Sequence, residues 1–240
     1  MIIAFSDLDD TLFSSPRQFD SVEGLDVAAT LVGGDVGAYA SHAQNKLLEM
    51  ISRNCMLVPV TGRRTGSLSR VLHPFNGDKI ASHGAIILDA KNNIHPEWKP
   101  VLDAEVALWR VKMAKLHTAA CAHIEAQGLD LRVRIVEDYG YPCYLCIKGD
   151  TDDLREIHAN NFDQLADGFF IHVNNRNLAF LPPYASKQRA VLFLQQRYQT
   201  QFKDEPMYLG LGDSISDLPF MSECHFQIIP SVSQISEKIT

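Results

Sequence analysis

The chain has 240 residues with a formal net charge of −7 and a sequence pI near 5.7; 46% of its residues are hydrophobic and 21% charged. That is a globular composition with enough apolar side chains for one large domain or two small ones. The acid excess leaves no global basic field for nucleic acid and no basic run for a membrane surface, and no apolar run reaches the length of a bilayer span.

In chain order, residues 2–6 are mostly apolar and partly β-branched, then the sequence turns abruptly acidic at Asp7. This predicts a strand buried on both faces, with polar residues at its carboxyl end. The start lacks a basic segment, so it reads as a buried strand and not as a signal peptide. Residues 27–32 and 35–40 flank Gly33-Gly34, which predicts a hairpin near Asp7 that helps shape a substrate pocket. Residues 41–54 carry Leu47, Leu48 and Ile51 at helical spacing, and residues 56–60 form a second apolar strand closed by Thr61-Gly62-Arg63. A short third strand covers about 79–82. The order strand, helix, strand predicts a parallel sheet with crossover helices, whose sites lie beyond the carboxyl ends of the strands.

The rhythm then changes. Residues 103–127 read as a long amphipathic helix stopped by Gly128, followed by strands at 131–136 and 142–148 around Asp138-Tyr139-Gly140. A helix at 152–166, with Thr151 as its N-cap, precedes strands at 169–173 and 178–181. Residues 186–198 return to a helix and 207–211 to a strand, which ends at Gly212-Asp213. The expected class is α/β: a Rossmann-like parallel-sheet core of residues 1–84 and 182–240, interrupted by an α+β insert at 85–181.

Four segments stand out at strand ends or a helix start: Asp7-Leu8-Asp9-Asp10-Thr11-Leu12, Thr61-Gly62-Arg63, Ser186-Lys187 and Gly212-Asp213-Ser214-Ile215-Ser216-Asp217. Several carboxylates at one strand tip repel each other and need a reason such as a cation. Phosphate-ester hydrolysis would use this mixture. A phosphoryl anion needs its charge offset, a hard cation held by carboxylates does so, and a carboxylate can attack phosphorus in line while a second moves protons. A hydroxyl and a lysine can hold the remaining oxygens.

These segments resemble, in order, the four motifs of the haloacid dehalogenase superfamily, and the insert lies where many members carry a large α/β cap. The insert's pattern is similar to that of sucrose-phosphate and mannosyl-3-phosphoglycerate phosphatases. The resemblance implies Asp7 as a nucleophile that forms an aspartyl-phosphate. It implies Asp9 as general acid/base, Thr61, Gly62 and Lys187 on phosphate, and Mg²⁺ held by Asp7, the Asp9 carbonyl and Asp213. Asp217, Thr11 and Arg63 would support the site, and a mobile cap would close over it to exclude water and touch the organic part of the substrate. An acid at Asp9 argues for an ester with an oxygen leaving group, on a small phosphorylated metabolite such as a sugar or sugar-acid phosphate. Ser216 departs from the asparagine often found before the last aspartate.

Two rivals use the same residues. A phosphomutase would return the phosphoryl group to substrate, and a receiver-like regulatory module would hold Mg²⁺ and phosphate without turnover. His83-Gly84, after the third strand, reads either as a hinge or as a hinge whose His83 also faces substrate. Cys143-Tyr144-Leu145-Cys146 lies on a predicted strand, which sends positions three apart to opposite faces and argues against a metal or redox pair. The five cysteines form no disulfide framework, so a reducing cytoplasm is the expected compartment. Oligomeric state has no signal here.

Overall fold

The computed structural model describes residues 1–160, 162–174 and 176–239. The elements in chain order are β1 (Ile2–Ser6), β2 (Asp26–Thr30), β3 (Val36–Ala40), α1 (His42–Asn54), β4 (Met56–Pro59), α2 (Thr65–Leu68), β5 (Lys79–Ala81) and β6 (Ile86–Leu88). Next come α3 (Lys99–Gln127), β7 (Leu131–Asp138), β8 (Tyr141–Gly149), α4 (Thr151–Asn160), α5 (Asp163–Ala166), β9 (Phe170–Asn174) and β10 (Asn177–Leu181). The chain ends with α6 (Lys187–Gln201), β11 (Met207–Leu211), α7 (Leu218–Met221), β12 (Phe226–Ile228) and α8 (Ser236–Ile239).

Two compact units result: Met1–His95 with Lys187–Thr240, and Pro96–Ser186. Residues 86–95 stay with the first unit because β6 folds back antiparallel on β5, pairing Lys79 with Leu88, and Leu88 bridges Ile94. Residues just before Lys187 stay with the second, where the Tyr184 hydroxyl donates to the Pro142 carbonyl.

The first unit is built on a parallel sheet in the order β12-β11-β1-β4. β1 is central, and Ile3, Ala4 and Phe5 are fully buried, which is why it reads as one continuous apolar run. A parallel bridge from Val60 to Ile80 carries β5 alongside β4. The second unit is an antiparallel sheet in the order β7-β8-β10-β9 with the long helix α3. This is the α/β class the sequence predicts, a parallel core with an inserted α+β part.

Local signals explain most element ends. Ser41 and Gln44 form a reciprocal capping box at α1, with each side chain bonded to the other's backbone N–H. Gly128, at φ +66°, closes α3 in the left-handed region. The β2–β3 hairpin turns at Gly33 and Gly34, as expected. It is tied down by Thr30 N–H to Arg70 O and Leu72 N–H to Ala28 O.

Some expectations need correction. The single helix at 152–166 is two, α4 and α5, because Phe162 takes φ +38° and a left-handed residue cannot continue a right-handed helix. Asp150, and not Thr151, caps α4: its Oδ1 accepts from Asp152 N–H at 2.8 Å. α3 begins four residues earlier than its periodicity shows, with Pro100 in its first turn. β6 and β12, of three residues each, come in addition to the strands expected. Cys143 and Cys146 are free thiols on β8.

Candidate active site

Three neighbouring parallel strands end on the residues singled out from sequence. Asp7 follows β1, Thr61 follows β4 by two residues, and Asp213 follows β11 by two. The sheet order places them side by side, at the carboxyl edge where open α/β sheets bind ligands. Asp7 N–H donates to Leu211 O at 2.9 Å, and Thr61 N–H to Ile80 O at 3.0 Å, so strand pairing itself fixes both backbones.

Lys187, the first residue of α6, reaches into this edge. Its Nζ lies 2.6 Å from Asp7 Oδ1 and 2.6 Å from Asp217 Oδ1. Asp7 and Asp217 are buried, Asp217 fully so, and the Lys187 side chain is only 11% exposed. Asp217 is in turn held through Oδ2 by Ser214, from its N–H at 3.1 Å and its hydroxyl at 2.8 Å. The Thr11 hydroxyl donates to Asp213 Oδ1 at 3.1 Å. Two glycines make room for this loop. A Cβ on Gly212 would stand 2.6 Å from Asp217 Cβ, and one on Gly210 would stand 2.9 Å from Met221 Cα.

Oxygens of Asp7, Asp213 and Asp217 all lie within 4.8 Å of one another. An all-carboxylate set of that span is what a hard divalent cation takes, so this trio could hold one. The electrostatics point the same way. Burial pushes Asp7 well above the usual carboxylate range; Lys187 pulls it back, and Asp217 and Asp9 add to the rise. Burial, then the charge of Asp217, pushes Asp213 up to about 6. Burial opposes the charge on Lys187, but Asp217 and Asp7 outweigh it and hold the ammonium above the ordinary lysine range. One lysine against three carboxylates leaves negative charge that a bound cation would offset.

Asp9 goes elsewhere. Arg63 Nε donates to its Oδ2 at 2.7 Å and Nη2 to its Oδ1 at 2.6 Å. The carboxylate is therefore outside the acidic trio, which leaves only the carbonyl that the resemblance implies for a metal role. Arg63 also lies over the Phe13 ring, 5.0 Å from its centroid, and its N–H donates to Thr61 Oγ1 at 3.1 Å.

His83 packs on the second motif. A Cβ on Gly62 would come within 2.6 Å of His83 Cε1, so glycine is what lets the imidazole lie there. Ser82, His83 and Gly84 all have positive φ, at 50°, 59° and 101°. Such a left-handed run is strained for the first two residues. It is held because Ser82 N–H donates to Arg63 O and His83 N–H to Thr61 O. Gly84 alone was legible as a hinge; the strain at Ser82 and His83 was not.

The structure thus gathers Asp7, Thr11, Lys187, Asp213 and Asp217 in one set of contacts, and Asp9, Thr61, Gly62, Arg63 and His83 in an adjoining one. Sequence reasoning missed Phe13 and the hold of Ser214 on Asp217, while the support expected of Asp217 is seen in its contact with Lys187. Ser214 sits inside the fourth motif and was open to notice as a short polar residue three before a buried acid.

No family model matches the chain, and no curated protein does. Solved structures do. A trehalose-6-phosphate phosphatase related protein aligns at TM-score 0.54 and 15% identity over 99% of this chain and 94% of its own. Trehalose-6-phosphate phosphatase of Aspergillus fumigatus aligns at TM-score 0.54 and 15% identity over 98% and 84%. Sucrose-phosphatase of Synechocystis sp. PCC6803, solved with sucrose and phosphate, aligns at TM-score 0.57 and 15% identity over 99% and 86%. The chain shares its fold with these phosphatases. The shared fold is a parallel-sheet core interrupted by an inserted antiparallel-sheet unit. Among the described residues no helix is long and apolar enough to cross a membrane.

Proposed function

We propose that the chain is a Mg²⁺-dependent phosphate monoesterase that works through Asp7, acting on a small phosphorylated metabolite of the sugar-phosphate class. The observation that carries this reading is the buried Asp7–Lys187–Asp217 chain beside Asp213, set at the ends of adjacent parallel strands. The sugar-phosphate part draws on the fold shared with sugar-phosphate phosphatases.

Lys187 engages Asp7 through Oδ1, so attack falls to Oδ2. A bond forms from Oδ2 to phosphorus while the ester P–O bond breaks, and Asp9 gives its proton to the departing oxygen. Water then attacks phosphorus, the P–Oδ2 bond breaks, and the water's proton passes to Asp9. Lys187 and Thr61, with the backbone at Gly62, bind the non-bridging oxygens. Asp7, Asp213 and the Asp9 carbonyl would hold Mg²⁺, with Asp217 beside them, and the cation would offset phosphoryl charge. Thr11 and Ser214 orient Asp213 and Asp217. His83, on the second motif, faces the organic part of the substrate.

A panel of phosphorylated metabolites, read by release of free phosphate, tests both parts. Asp7→Asn should abolish turnover without loss of fold, and EDTA should do so reversibly. Full activity in purified Asp7→Asn sinks the mechanism. Flat activity on sugar phosphates with strong turnover of a nucleotide or cofactor phosphate rejects the substrate class. Phosphoryl return to substrate without free phosphate would instead identify a mutase.

A further inference from the structure

Arg63 and Asp9 are 54 residues apart in sequence and joined by two parallel N–H to O bonds. This fork-to-fork arrangement is specific to guanidinium and carboxylate planes. The two partners differ in exposure. The arginine side chain is 18% exposed and the aspartate 48%. Arg63 is further fixed by the Phe13 ring, itself buried, and by the backbone bond to Thr61 Oγ1. The guanidinium is the more buried member and the carboxylate the more exposed one.

Resting on the phosphatase reading above, we propose that Arg63 is the positioning residue for Asp9 and acts through the two-bond fork. A carboxyl offers about four lone-pair sites on its two oxygens, and the fork occupies one on each. The sites that remain can carry a proton while the fork fixes the plane and direction of the carboxyl. In the first half of the reaction the proton leaves Asp9 for the ester oxygen as the P–O bond breaks. In the second half Asp9 accepts a proton from the attacking water. Lysine could supply the charge at position 63 but not the fork, so the arrangement predicts that geometry and not charge is what matters.

The test compares two aryl esters that differ by one nitro group, phenyl phosphate with a poor leaving group and p-nitrophenyl phosphate with a good one. Proton donation matters for the first far more than for the second, while phosphate binding matters equally for both. For wild type, Asp9→Asn, Arg63→Gln, Arg63→Lys and Asp9→Asn/Arg63→Gln, the readout is the ratio of kcat/KM on phenyl to p-nitrophenyl phosphate at saturating Mg²⁺. Arg63→Gln and Arg63→Lys should each lower that ratio about tenfold or more, within the range that a positioned general acid contributes. Arg63→Gln should add less than about threefold to the loss already caused by Asp9→Asn, because both act through one group. A ratio unchanged in either Arg63 variant overturns the proposal, as do full rescue by lysine or multiplicative losses in the double variant. Those results would give Arg63 a direct role in charge or in folding. Wild type that releases phosphate from neither ester, nor from any member of the metabolite panel, refutes the phosphatase reading and this proposal with it.

Discussion

Among the described residues Lys187 is the one cation within hydrogen-bonding distance of both Asp7 and Asp217, and replacing it by methionine separates its electrostatic role from its volume. Methionine fills nearly the same space, so the change leaves no cavity and isolates the charge. Removing one partner of a buried ion pair costs about 3–5 kcal/mol, because the other charge is left without compensation. The two pairs share one lysine, so their losses do not add. We therefore expect Lys187→Met to be destabilised by about 3–5 kcal/mol in EDTA at pH 8. For a chain of this size that is a fall in Tm of about 6–20 °C. Two further dependences follow. Saturating Mg²⁺ should recover part of the loss, since it supplies positive charge to the same carboxylates. Lowering the pH should also recover it. Without the ammonium the native state binds protons on buried carboxylates that the unfolded chain leaves ionised, so native stability rises as pH falls. Urea unfolding followed by circular dichroism, at pH 8 and pH 5 with EDTA or Mg²⁺, measures all of this. A loss below about 1 kcal/mol in EDTA at pH 8, or one that does not change with pH, would refute the reasoning.

The remaining predictions probe neighbouring contacts. Gly62→Ala drives a methyl to within 2.6 Å of His83 Cε1 and should destabilise by about 1–3 kcal/mol through overpacking. Adding His83→Ala in the same chain should relieve much of that loss, and strictly additive effects in urea unfolding would argue against the contact. Asp213 has its folded value raised to about 6. A raised acid weakens the native state fully above that value and not at all below the ordinary carboxylate range. In EDTA, Asp213→Asn should thus melt above wild type at pH 8, with the gap closing as pH falls through about 6. With Mg²⁺ the order should reverse, and a gap that stays flat with pH would count against the charge argument.

What was legible in the sequence follows from the kind of interaction involved. Residues 2–6 and 207–211 carry their own signal, because a strand buried on both faces is apolar throughout. Asp7, Thr61 and Asp213 stand out where such runs turn polar, so strand ends located them before any contact was known. Lys187 had no such mark; as a helix-start lysine it was legible only through resemblance to a family. The hairpin was readable from Gly33-Gly34 because two adjacent glycines permit a turn that few other pairs allow. What escaped was tertiary. Arg63 meets Asp9 across 54 positions, and nothing local at either residue encodes the other. Phe13 is apolar in a polar segment, which marks burial but not a guanidinium above its ring. The break at Phe162 escaped because an aromatic residue with positive φ contradicts its intrinsic preference and is imposed by packing around a buried ring.

The first motif presents Asp7 and Asp9 as a matched pair two residues apart, and sequence alone offers no physical ground for giving them different roles. The fold breaks that symmetry with two cations from distant segments. An ammonium from the start of α6 takes Asp7, whose side chain is 9% exposed, and shares it with Asp217. A guanidinium from the loop after β4 takes Asp9, whose side chain is 48% exposed. Just after them Asp10 adopts φ +60° and its N–H donates to Phe13 O. Environments that separate two like groups are how one pair of carboxyls divides nucleophilic from proton-transfer work. The buried member, pinned on one oxygen, suits attack in a site that excludes water. The exposed member, aimed by a fork that leaves lone-pair sites open, suits the exchange of a proton with an incoming water. On this view the phosphatase reading needs both cations for different reasons: Lys187 sustains a charge that burial opposes, and Arg63 fixes the direction of one that solvent would otherwise leave free.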